Sequence, residues 1–194
     1  MSDKVTLYTR QHENSLYELD KKGIITNKEI YVRMHMRDIS DFFLEKYRLF
    51  VKMAEKIVPR DESTEYPIWC TVSKKYCLRP IDKEVVYELE VPKEEIIFFD
   101  GAKWDLVLNN LYIPIDKEDG ENFSKEIAKL GVTDSFSFID GKYKGMYPEI
   151  EKKIRDSWQR IFIIDQFSEI SIQANLWKIK GEWVKRIIRP GEEI

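Results

Sequence analysis

The chain holds little of what metal, redox and nucleophile chemistry most often uses: two cysteines and two histidines in 194 residues. Cys70, Cys77, His12 and His35 fall at no zinc-ligand spacing, so no metal site is expected. A disulfide between the two thiols is not expected in a cytosolic chain. The segment "YPIWCTVSKKYCLRP" reads as a hairpin turning near Ser73 to Lys75, with both cysteines serving as small strand hydrophobes. With so few histidines, and no Gly-x-Ser-x-Gly turn, a Ser or Cys nucleophile activated by histidine drops out. Phosphate loops of the Gly-x-x-x-x-Gly-Lys kind and Gly-x-Gly-x-x-Gly dinucleotide turns are missing as well. No apolar run approaches the length of a membrane span, and Met1 is not followed by a basic stretch and an apolar run. No membrane association is therefore expected, and the expected compartment is the cytoplasm. There is no internal repeat and no low-complexity tract.

Charge of one sign is missing too. Lys and Arg number 32 against 35 Asp and Glu, a formal net charge of −3, which argues against a general binder of nucleic acid or anionic lipid. What is present is core material: 43% hydrophobic and 13% aromatic residues, far from the composition that keeps chains disordered. The expectation is a single domain over residues 1–194, with a polar helical and loop excursion at about 114–147.

Elements follow from periodicity. "KVTLYTRQ" alternates as a first strand, and "HENSLYELDKKG" places Leu16 and Leu19 on one helical face with Gly23 at its end. Ile39, Phe43, Tyr47, Phe50, Ala54 and Ile57 repeat at helical spacing up to Pro59, predicting one long helix. "YPIWCTV" and "EVVYELEVP" read as strands, with Glu88 and Glu90 on a solvent face. Asp100 is placed to cap a helix carrying Trp104, Val107, Leu108 and Leu111. "NFSKEIAKLG" predicts a short helix ending at Gly131. "YPEIEKKIRDSWQRIFII" predicts another, with Pro148 in its first turn and Ile150, Ile154, Trp158 and Ile161 facing inward. Strands early and late around helices give an α+β class with a mixed, mainly antiparallel sheet and flanking helices.

The most informative stretch is "SIQANLWKIKGEWVKRI". Ile170, Ile172, Ala174 and Leu176 alternate with Gln173 and Asn175, so two amides share the face opposite the apolar one. Inward amides require partners, either a neighbouring loop or a ligand. Beyond them, Lys178, Lys180, Lys185, Arg186 and Arg189 gather around Trp177 and Trp183. That cluster can meet phosphates and stack bases, or it can guard a sheet edge against pairing. Trp104 with Asn109, and Trp158 with Arg160, read either as nucleotide-pocket residues or as core anchors with a surface ion pair. Arg79 is open to the same two readings.

Taken together, "LYTRQ", "YPIWCTV", "WDLVLNN", "SWQRIF" and "IQANLW" resemble a family of small bacterial proteins, domain-of-unknown-function family 3841, over nearly the whole chain. A more distant resemblance is to ADP-ribosyltransferase-like folds. Their opening strand with a polar or basic end and their short helix ending in Gly are matched by "LYTRQHENSLYELDKKG". That likeness implies NAD as a ligand held by Thr9 or Arg10. It puts Gln173 at the first position of a late Gln/Glu-x-Glu pair and Asn175 where the catalytic glutamate stands. An amide can bond a ribose hydroxyl but gives no charge to a cationic transition state, so the likeness implies NAD or nucleotide binding with impaired catalysis. The resulting ligand-binding candidates are Thr9, Arg10, Trp69, Arg79, Trp104, Asn109 and Arg160, with Gln173 and Asn175 as catalytic candidates. The competing expectation is a non-catalytic protein- or nucleic-acid-interaction domain of a bacterial or phage conflict system, contacting its partner through the basic stretch.

Overall fold

The computed structural model describes residues 3–194. The chain divides into two compact units, the residues up to Phe98 together with Phe167–Ile194, and Phe99–Gln166. The excursion expected at 114–147 falls inside the second.

In the first unit, strand β1 (Lys4–His12) runs into helix α1 (Asn14–Lys22). The helix stops at Gly23, whose φ of +68° suits a residue without a Cβ and whose N–H returns to Leu19 O at 2.8 Å. Strand β2 (Ile24–Thr26) leads to α2 (Glu29–Met36), then α3 (Ser40–Ala54). The long helix expected from Ile39 to Ile57 is shorter at both ends, because Ile39 and Ile57 are exposed rather than packed. A turn of 3-10 helix at Arg37–Ile39 separates it from α2, which the periodicity did not announce.

The remaining strands are β3 (Ile68–Thr71), β4 (Glu84–Pro92), β5 (Ile97–Asp100), β6 (Ile172–Leu176), β7 (Lys178–Lys180) and β8 (Val184–Ile188). Six of them make one sheet in the order β5-β6-β3-β1-β4-β8, while β2 and β7 pair separately. The β1–β3, β1–β4, β3–β6 and β4–β8 ladders are all antiparallel. The protein is therefore α+β, with a mainly antiparallel sheet and helices.

The hairpin expected around Ser73 to Lys75 does not form. After β3 the chain makes a 3-10 turn at Lys74–Tyr76 and no returning strand. The reason is topological: β3 already has β6 on one edge and β1 on the other, so no edge is left to pair. Near the end of the chain, β7 does not fold back on β6. The chain breaks at Trp177, whose indole N–H donates to Val58 O at 2.7 Å, and then hands β7 to β2 and β8 to β4.

The alternation of β4 is what seats the sheet. Val85, Tyr87, Leu89 and Val91 join Leu7, Ile68, Cys70, Ala174 and Leu176 in one core, with Leu16 and Leu19 of α1 packed against it. In the second unit, α4 (Gly101–Leu108), α5 (Lys117–Ala128), α6 (Phe136–Ile139) and α7 (Pro148–Ser157) follow in turn. Ile154, Trp158 and Ile161 are fully buried there, and the Trp158 indole N–H donates to Leu111 O at 2.8 Å. No helix among the described residues is long and apolar enough to cross a membrane.

The Asp100 carboxylate accepts from Ala102 N at 2.9 Å and Lys103 N at 3.2 Å, satisfying two of the free donors that open α4. Asp100→Ala should therefore destabilise the protein by about 1 kcal/mol in denaturant unfolding, while Asp100→Asn, also a capping residue, should lose much less.

Candidate functional site

In an antiparallel ladder, residues directly opposite one another point to the same side of the sheet. Tyr8 faces Thr71, Thr71 faces Gln173, and Trp69 faces Asn175. By alternation Tyr8, Arg10, His12, Trp69, Thr71, Gln173 and Asn175 therefore share one face. Thr9, Gln11, Ile68, Cys70 and Ala174 share the face that carries the core.

β1 pairs with β4 along nine residues, yet meets β3 at the single pair Tyr8↔Thr71. Beyond that pair the two strands part, and a cleft of about 530 Å³ opens there. Its lining comes from both faces of the parted strands, Arg10, Trp69 and Gln173 from one and Thr9, Gln11 and Cys70 from the other. Tyr31, Val32 and His35 of α2 and Tyr47 of α3 wall it, and Tyr76 to Leu78 form its rim. All of these residues belong to the first unit.

Polar groups in the cleft fall into two sets. The committed set holds the walls in place. The buried Thr9 hydroxyl donates to Trp69 O at 2.7 Å and accepts from the Gln11 amide at 2.8 Å, so it ties β1 to β3 where their ladder has ended. Arg10 is spoken for twice, by Glu84 at 3.1 Å and by the Arg79 carbonyl at 3.3 Å. The Asn27 amide donates to Pro67 O at 3.0 Å. The uncommitted set comprises the Gln173 amide, which has no partner among the described residues, and the outer nitrogen of His12. Its Nδ1 accepts from Asn14 N at 3.1 Å, so the neutral ring carries its proton on Nε2. Aromatic surface completes the site: the Trp69 ring lies 5.2 Å from Tyr47 and 5.3 Å from Phe50, centroid to centroid.

Burial sets the acidity of the cleft's weak acids. It pushes the Cys70 thiol up to about 12, the Cys77 thiol up to about 11 and the Tyr47 hydroxyl up to about 12. Both thiols are free and stay protonated near neutrality, which removes them as nucleophiles.

Of the residues singled out from the sequence, Thr9, Arg10, Trp69 and Gln173 line this cleft. Arg79 contributes its backbone carbonyl to Arg10 rather than its side chain. Asn175 is fully buried, behind the wall, and neither its Oδ1 nor its Nδ2 has a hydrogen-bond partner. Trp104, Asn109 and Arg160 belong to the second unit. Trp104 is buried, and Asn109 donates to Asp105 O at 2.8 Å. Arg160 is bound to the Tyr112 hydroxyl at 3.1 Å, to Asp119 at 3.2 Å and to Ile113 O.

The basic stretch is matched by acids: Lys178 pairs with Asp61, Lys180 with Glu95 and Lys185 with Glu90. Arg186 stands opposite Glu88 and donates to Glu193 O. Such pairing does not support a surface built for phosphates. Sequence reasoning missed the α2 wall and the residues Gln11, His12 and Tyr47.

The class is thus an α+β domain whose central sheet parts into a cleft of mixed aromatic and amide character. The family profile described as Domain of unknown function (DUF3841) matches residues 6–185, and the chain belongs to that family. No curated protein and no solved structure matches it, and the ADP-ribosyltransferase likeness draws no support from these comparisons.

Thr9→Val keeps the shape of the bridging side chain but leaves Trp69 O and the Gln11 amide short of a partner. It should cost about 1–3 kcal/mol and speed amide hydrogen exchange in β3 relative to β4. The thiols give a pH dependence whose sign is fixed by their raised values. Stability conferred by keeping them protonated is complete below their ordinary value of 9.0 and is lost as pH climbs through about 11 to 12. Alkaline unfolding followed by circular dichroism should start above pH 9. Iodoacetamide should label the partly exposed Cys77 faster as pH rises toward 11, and should reach Cys70 only on unfolding.

Proposed function

We propose that the protein binds a small nucleotide-type ligand, NAD or a piece of it included, in the cleft between β1 and β3. The observation that carries this reading is the meeting of free hydrogen-bonding groups, Gln173 and His12, with the stacking surface of Trp69 and Tyr47 in one concavity of about 530 Å³. That volume lies in the range used for small organic ligands, and flat aromatic walls with a few polar groups suit a base and its sugar.

An ADP-ribosyltransferase-like arrangement is the finer form of the reading. It is supported by the polar end of β1, by α1 closing on Gly23, and by a late strand carrying Gln173 and Asn175. Within it the protein is a binder rather than an efficient transferase. Arg10 must give up Glu84 before it can meet a phosphate. Asn175 brings no negative charge and lies behind the wall, so the electrostatic contact that such a transition state needs is missing; losing one contact of this kind costs about 100- to 1000-fold in rate. A pure interaction domain is favoured by one feature, the exposure of Ile30 and Met34 one turn apart on α2.

Titration calorimetry with NAD, ADP-ribose and adenosine decides between these readings. At least one should bind, and Gln173→Ala should weaken it about tenfold with an unchanged melting temperature. Silence from all three ligands at millimolar concentration would rule the nucleotide reading out.

A further inference from the structure

Asn175 is a residue of the central sheet whose side-chain amide the fold leaves without partners. It is fully buried, and both its carbonyl oxygen and its amide nitrogen lack partners. Folded proteins almost always avoid this, because a buried amide has given up water without replacement. A small apolar residue would leave no polar atom unpartnered there, so packing alone does not account for the residue.

Its position is equally specific. Asn175 stands directly across from Trp69 and shares its face of β6 with Gln173, and both of those neighbours line the cleft. Side chains paired in this way have Cβ atoms about 5 Å apart, so the amide lies one side chain behind the cleft wall. The Trp69 ring that stands beside it leans on Tyr47 and Phe50, which makes the surroundings aromatic.

We infer that Asn175 is the recognition group of an inner subsite, reached from the cleft past the Trp69 indole, for a flat group carrying a hydrogen-bond donor and acceptor side by side. Adenine and a primary carboxamide both present that edge. The inference rests on the nucleotide-type reading above and narrows it. The amide offers one acceptor, Oδ1, and donors on Nδ2, and two parallel bonds to such an edge satisfy both atoms at once. A phosphate would satisfy Nδ2 and leave Oδ1 orphaned. Aromatic neighbours suit a flat ring.

The test pairs ligands that differ only in this edge: adenosine with purine riboside, which lacks the exocyclic amine, and nicotinamide with 3-acetylpyridine, which lacks the amide donor. The wild-type protein should prefer the first member of one pair by at least about tenfold in calorimetry, and the pair that shows the preference identifies the source of the edge. Asn175→Ala, which makes no demand on shape, should erase the preference. Asn175→Thr, nearly equal in volume, puts a single hydroxyl in place of the amide pair and should lose the preference while staying folded by circular dichroism. A preference that survives in Asn175→Ala or in a folded Asn175→Thr overturns the inference while leaving the cleft's nucleotide reading in place. Failure of the wild type to bind any of the four overturns the inference, and the nucleotide reading falls with it only if NAD and ADP-ribose are silent as well.

Discussion

Between Thr9 and Trp69 a single hydroxyl holds two strands that have stopped pairing. β1 is committed along its whole length to β4, so it follows the twist of that ladder, while β3 follows β6. Strands in a sheet are rotated by roughly 20° relative to their neighbours. Two ladders that share one register pair therefore diverge unless something ties them. The Thr9 bond sets how far they diverge, and with that the width of the cleft. Because Thr9 lies on the core face while Arg10 and Trp69 lie on the other, the gap exposes residues of both faces to one space. A sheet of uninterrupted pairing could not do this.

The charges around that space are balanced close to home. Arg10 and Glu84 neutralise one another at the cleft, and the lysines of β7 and β8 are matched by Asp61, Glu95 and Glu90. Exposed pairs of this kind add little to stability, but they cancel the field that would steer a polyanion. What is left for recognition is short-ranged: amide edges, one imidazole nitrogen and the faces of aromatic rings. A ligand chosen by such groups is chosen by shape and hydrogen-bond pattern.

Much of the fold was legible in the sequence. β4 was evident from strict alternation, α1 from its closing glycine, α4 from Asp100 and α7 from Pro148 with its inward isoleucines. The α+β class and the shared face of Gln173 and Asn175 followed from the same periodicities. α2 did not show itself, since Ile30, Val32, Met34 and Met36 alternate as a strand would, and only Val32 is buried. Its i,i+4 pair of Glu29 with Arg33 supports the helix only slightly, and no apolar stripe announces it. The hairpin near Ser73 to Lys75 failed because local turn signals do not say which strand edges are already taken. Thr9, Arg10, Trp69 and Gln173 could be named as candidates, but their meeting depends on where β1 and β3 part, which no local pattern encodes.

The routing of β6, β7 and β8 has a consequence for how the molecule comes into being. Residues next to one another along this segment close ladders with β3, β2 and β4, and the Trp177 to Val58 bond spans 119 positions. Until residue 172 has left the ribosome, β3 waits with one naked edge and β4 with another. High contact order of this kind slows folding and lengthens the time in which those edges can find the wrong partner. The side of the cleft that carries Gln173 accordingly forms only after β6 has been made.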